Sequence, residues 1–78
     1  MFKVKLDICS VKDFVYEASQ ITGKVTLYSG RYVVDGKSIM GIYSLDLSKP
    51  VDAEIEEGAA GEYESLYNRL KELKIIAE

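Results

Sequence analysis

Two side chains in this sequence are of a type and in a setting that could do chemistry, Cys9 and Ser38. Cys9 falls in Ile8-Cys9-Ser10-Val11, between a strand-like alternation and a helix start. A thiolate at a helix N-terminus has a lowered pKa and can in principle accept a phosphoryl group. The same position equally suits a small linking residue, and the sequence offers it neither a base nor an arginine clamp. Ser38 opens the run Ile39-Met40-Gly41-Ile42-Tyr43, where its hydroxyl is placed to cap a helix by accepting an orphan N–H. A phosphate carried there would gain from the helix dipole and the free amides. Gly36-Lys37-Ser38 ends like a phosphate-binding P-loop, but that motif needs Gly at position 31 and a long following helix. Arg31 stands there instead, so nucleotide binding is rejected. The chain contains no histidine, which removes imidazole metal ligation, Ser–His and Cys–His pairs, and histidine phosphotransfer. Neither a metal nor a cofactor is expected.

The elements that must position these residues follow from periodicity. Phe2, Val4, Leu6 and Ile8 alternate with Lys3, Lys5 and Asp7, which predicts a half-buried first strand reaching Ile8. Ser10 reads as the cap of a helix with Asp13 one turn on. Val11, Phe14, Val15, Ala18 and Ile21 form its buried stripe, and Gly23 supplies a left-handed stop. Strands are expected over Lys24–Ser29 and Tyr32–Asp35 around a tight turn, with Val25, Leu27 and Val34 inward. In the short helix after Ser38, Ile42 and Leu45 face the core, while Met40 and Tyr43 share an outward side. Pro50 sits at a strand start, where its missing donor costs least, and Val51, Ala53 and Ile55 alternate through a fourth strand. Residues 57–61 read as a flexible link. A final helix from Glu62 to about Lys74 buries Tyr63, Leu66, Tyr67, Leu70 and Leu73. Ile75-Ile76 either continue that packing or form a tail. The order β-α-β-β-α-β-α predicts an α+β open-faced β-sandwich, a four-stranded sheet with helices on one face.

Composition narrows the function classes. With 78 residues the chain predicts a single domain, residues 1–78, near the size at which one core is only marginally sufficient. Apolar residues make up 47%, yet no run approaches the roughly 18 that a membrane helix needs. The N-terminus alternates like a strand rather than a signal peptide. A single cysteine cannot staple the fold, so a reducing cytoplasm is expected. Residues 1–44 hold six Lys/Arg against four Asp/Glu, and residues 45–78 hold four against nine. An acidic C-terminal half argues against nucleic-acid binding, which needs a basic footprint.

Lys37-Ser38-Ile39-Met40-Gly41, followed by Ser44-Leu45, resembles the regulatory-serine segment of HPr, the small phosphocarrier of the bacterial phosphotransferase system. The element order is also similar to HPr over nearly the whole chain. The resemblance implies an HPr-like fold with Ser38 as a phosphorylation site and Lys37, Ile39, Met40 and Tyr43 as a partner-binding patch. It implies protein partners such as HPr kinase/phosphorylase or a transcriptional regulator. Tyr43 stands where the family commonly has Met, and Asp46 where Gly is usual. HPr carries its phosphorylated histidine between the first strand and first helix, in a Gly-Leu-His-Ala-Arg-Pro type segment. Here that interval is shorter and has neither the histidine nor the arginine, so ordinary phosphocarrier activity is not expected. The family also includes a catabolite-repression paralogue without the histidine but with the serine. The expectation is therefore a non-enzymatic regulatory or adaptor module related to the phosphotransferase system and sugar transport. Alternatives are a divergent phosphoacceptor using Cys9, or an unrelated binding or structural role on a retained fold.

Overall fold

The computed structural model describes residues 1–77. Its elements are β1 (Phe2–Val4), α1 (Ser10–Ala18), β2 (Lys24–Ser29), β3 (Tyr32–Asp35), α2 (Ile39–Tyr43), β4 (Val51–Glu56) and α3 (Glu62–Glu72). The sheet order is β1-β4-β2-β3, with every pair antiparallel. Inward residues of the strands meet the helices in one core: Phe2, Val4, Val25, Leu27, Val51 and Ala53 against Val11, Phe14, Ile42, Leu66 and Leu70. The opposite face is polar, as an open sheet face requires. There Lys3 pairs with Asp52 directly across the ladder at 2.8 Å, and the Tyr28 hydroxyl donates to Glu54 at 2.8 Å. The α+β open-faced sandwich is as the pattern predicts.

The first strand is shorter than the alternation suggests. Leu6 is still buried, but Ile8 is 76% exposed. The cause is local hydrogen bonding. Asp7 Oδ1 accepts from the Ser10 N–H at 2.8 Å, while the Asp7 N–H donates to Ser10 Oγ at 2.8 Å. This reciprocal capping box starts the helical path at Asp7 and withdraws Ile8 from the sheet. Asp7, rather than Ser10, supplies the capping side chain.

Gly23 is not a left-handed stop; the positive-φ glycines are Gly30 and Gly61. It is required by close approach, since a Cβ there would run into the Glu56 carbonyl oxygen and the Gly58 amide. Gly30 (φ +59°) makes the tight β2–β3 turn, and Gly61 (φ +87°) precedes α3. In α3, Leu66 and Leu70 are buried as expected, whereas Tyr63 is 37% exposed at the margin. Its ring stacks on Tyr67 (6.1 Å between centroids) and meets Phe2 edge-on (6.0 Å), so it shields the core without entering it.

The end of the described chain belongs to the sheet edge. The Ile75 N–H donates to the Leu70 carbonyl and the Lys74 N–H to that of Lys71, each at 3.0 Å, with Lys74 at φ +60°. This is a Schellman stop with lysine in the usual glycine position. Residues 75–77 then run along β1. The Lys5 N–H donates to the Ile75 carbonyl (2.7 Å), the Ala77 N–H donates to Lys3 (3.0 Å), and Ile76 bridges Val4. Ile75 is buried.

Candidate functional site

The α2 segment is built on its cap. Ser38 has extended φ/ψ (−108°, 111°), and its Oγ accepts from the Gly41 N–H at 3.1 Å. Asp35 prepares the approach: its side chain accepts from the Lys37 N–H (2.9 Å) and its carbonyl from the Ser38 N–H (3.0 Å). A helix of five residues has no independent stability, so burial must hold it. Ile42 and Leu45 supply that anchor at 0% and 6% exposure. On the other side Met40 is 78% exposed, with Tyr43 and Ile39 near the margin at 38% and 36%.

Two of the patch residues have structural attachments. The Tyr43 hydroxyl donates to the Ile8 carbonyl at 3.1 Å, tying α2 to the turn that precedes α1. This brings exposed Ile8 and Cys9 to the same end of the molecule as Tyr43. Lys37 is turned inward: its ammonium donates to the carbonyls of Ile21 (2.8 Å) and Gly23 (2.7 Å). Those carbonyls follow the C-terminus of α1, where a cation is favoured by the helix dipole.

The same turn is gripped by an anion. Glu62 accepts from the Thr22 N–H (2.7 Å), the Thr22 hydroxyl (3.0 Å) and the Gly23 N–H (3.1 Å). It also accepts from the amides of Gly58 (2.8 Å) and Ala59 (3.1 Å). The donors, led by the Thr22 amide, pull its pKa down to about 2. Thus Lys37 takes the carbonyls and Glu62 the amides of one connection, and this fixes the spacing between α1 and β2. Glu62 was legible in the sequence only as an acidic first-turn residue.

Cys9 is exposed beside the N-terminus of α1. The nearest helix amide there, Ser10 N–H, is already held by the Asp7 carboxylate. The Ser10 amide and then the Ser10 hydroxyl lower the Asp7 pKa. The N-terminal position that would favour a phosphoryl group is therefore occupied by the chain's own anion. The Asp7-Ile8-Cys9-Ser10 spacing was a readable capping signal, masked by the alternation that ran through it. Among the described residues, no group of His, Cys, Asp and Glu is assembled to hold a metal ion.

No family model and no curated protein matches the chain. Solved structures do. HPr-C-His from Thermoanaerobacter tengcongensis is 29% identical with a TM-score of 0.72, over 94% of this chain and 84% of that one. The HPr dimer from Thermoanaerobacter tengcongensis is 28% identical, with a TM-score of 0.69 over 88% of this chain and 82% of that one. Crh, the catabolite repression containing protein of Bacillus subtilis, is 26% identical, with a TM-score of 0.66 over 97% and 88% of the two chains. That Crh structure is a dimer with a swapped domain.

The chain is similar to HPr and Crh in both sequence and fold over nearly its whole length, which supports an HPr-like family. The connection between β1 and α1 reads Lys5-Leu6-Asp7-Ile8-Cys9 and contains no histidine. The segment that carries the resemblance to the regulatory serine forms the capped α2 helix.

Proposed function

We propose that this HPr-like chain is a non-enzymatic regulatory or adaptor module of the cytoplasm, related to the phosphotransferase system. It docks protein partners through α2, using Ile39, Met40 and Tyr43. The observation that carries this reading is the exposure of Met40 at 78% on a helix whose opposite side is fully buried. A flexible thioether with open space around it can repack against different partner surfaces. Candidate partners are a kinase of the HPr kinase/phosphorylase type and a transcriptional regulator.

Ser38 is the proposed phosphorylation site. A phosphate on it would add about −1.5 to −2 charge next to the patch. Its oxygens could take over the acceptor role that the hydroxyl now plays toward the Gly41 amide. Lys37 would not offset that charge, because its ammonium is committed to the Ile21 and Gly23 carbonyls. In this reading Lys37 supports the patch from behind and does not contact the partner.

The test compares wild type, Ser38→Asp and Met40→Ala with purified HPr kinase/phosphorylase and in capture from the native cytosol, beside thermal melts. Ser38→Asp should change partner affinity with a nearly unchanged melting temperature, and Met40→Ala should weaken binding without unfolding. Equal recovery of every partner by all three folded proteins would sink the docking reading and leave Ser38 as a cap alone.

A further inference from the structure

The sheet has two edges, β1 and β3, and they are treated differently. Residues 75–77 hydrogen-bond along β1 and cover it. The edge at β3 carries no such cover among the described residues. An uncovered strand edge is a template for pairing with another chain unless charge, proline or a bulge blocks it. Here Tyr32-Val33-Val34-Asp35 has no proline, and Tyr32 and Val33 are 66% and 63% exposed.

The hydrogen-bonding phase of β3 fixes which groups are available. The Gly36 N–H donates to the Val25 carbonyl at 2.7 Å, and β2 and β3 pair Ser29 with Tyr32 across the turn. By antiparallel alternation, Tyr32 and Val34 turn their backbone groups toward β2. The N–H and C=O of Val33, the N–H of Asp35 and the C=O of Arg31 face away from the sheet. The Asp35 carbonyl is already used by the Ser38 N–H.

We propose that β3 is a self-association edge, pairing antiparallel with β3 of a second copy about a two-fold axis at Val33. In that register Val33 meets Val33 of the second copy, Tyr32 meets Val34, and Arg31 meets Asp35. The two Val33 residues exchange both backbone bonds, and each Asp35 N–H donates to an Arg31 carbonyl. Four backbone hydrogen bonds join two four-stranded sheets into one of eight strands. Tyr32 covers the half-buried Val34 of the other copy on the helix side.

Charge selects both the occupant and the register. Among the described residues Arg31 makes no ion pair, and Asp35 uses one carboxylate oxygen on the Lys37 amide. Centred on Val33, each arginine lies beside an aspartate. Slipped to either side, the axis sets Asp35 opposite Asp35 or Arg31 opposite Arg31, and like charges directly opposed are destabilising. A centre on Val34 leaves no outward backbone groups to exchange. So short an edge buries less than the roughly 1,200–2,000 Å² of a stable dimer, and the association is a weak, concentration-dependent equilibrium in which no element is exchanged between copies.

The test is sedimentation equilibrium on the full chain from micromolar to millimolar concentration, with amide exchange by NMR at both ends of the range. The average mass should rise from 8.7 kDa toward twice that value. The Val33 and Asp35 amides should become more protected as it does. Val33→Lys opposes two ammonium groups, and Arg31→Glu sets carboxylates beside Asp35; each should weaken the dimer by about tenfold or more. Met40→Ala should leave it intact. A monomer throughout the range would overturn the proposal, as would a dimer that survives Val33→Lys or disperses with Met40→Ala. Should either β3 variant fail to fold, unchanged Val33 and Asp35 protection across the wild-type series would overturn it equally.

Discussion

Truncating Ile42 tests how the candidate docking helix is held. Ile42 is 0% exposed and is the buried residue of a five-residue helix. Ile42→Ala removes the Cγ1, Cγ2 and Cδ1 carbons. At about 0.8 kcal/mol for each buried methylene-sized group, the transfer loss is about 2.4 kcal/mol. The cavity left behind brings the expected cost to about 2–5 kcal/mol. For a domain of this size each kcal/mol lowers the midpoint by roughly 4–8 °C, so a fall of at least about 8 °C is expected. Met40 lies two positions earlier on the same helix and is 78% exposed, so Met40→Ala should stay within about 0.5 kcal/mol of wild type. Urea melts followed by circular dichroism and by tyrosine fluorescence measure both variants, and an unchanged slope identifies a change in stability alone. A loss below about 1 kcal/mol for Ile42→Ala would mean that α2 opens independently of the sheet. Core burial would then not be what orders the patch.

Acid should expose the Glu62 grip. Its folded pKa is about 2, below the ordinary 4.5, so its contribution is complete above about pH 4.5 and fades as the pH falls toward 2. Glu62→Gln should therefore lower the melting temperature at pH 7 and flatten its acid dependence over that window; parallel curves for the two proteins would contradict this. Lys74→Gly should stabilise the chain by up to about 1 kcal/mol, because glycine occupies the left-handed position without the cost a side chain bears. A lower urea midpoint for that variant would show that Lys74 makes a compensating contribution. Incubation with enzyme I and phosphoenolpyruvate should leave the mass unchanged, since the chain has no histidine and Asp7 occupies the α1 N-terminus. A phosphate gained by wild type and absent in Cys9→Ala would instead favour the cysteine phosphoacceptor.

Much of the architecture was readable from one dimension. Alternation located β2, β3 and β4, and helical spacing singled out Val11, Phe14 and Ala18, and Leu66 and Leu70, as buried. The apolar split of α2 was readable in the same way, with Ile42 and Leu45 inward and Met40 outward. These features depend on side-chain periods of two and 3.6, which are properties of local backbone geometry. Ile8 shows where periodicity misleads. It continues the alternation by type, but a capping box between Asp7 and Ser10 takes the backbone out of the sheet before it.

What the sequence determined by itself was the chemistry that is absent: without histidine, no spatial arrangement can restore an imidazole nucleophile. It also determined that Ser38 begins a helix, because capping is decided within a few residues. Only the tertiary structure decided the roles of Lys37, Glu62 and Gly23. Lys37 reaches back 16 residues to Ile21, and Glu62 reaches back 40 to Thr22. Gly23 is confined by Glu56 and Gly58 across the fold. Each of these residues satisfies or avoids backbone groups that are distant in the chain, and such groups become neighbours only after the sheet and helices have packed.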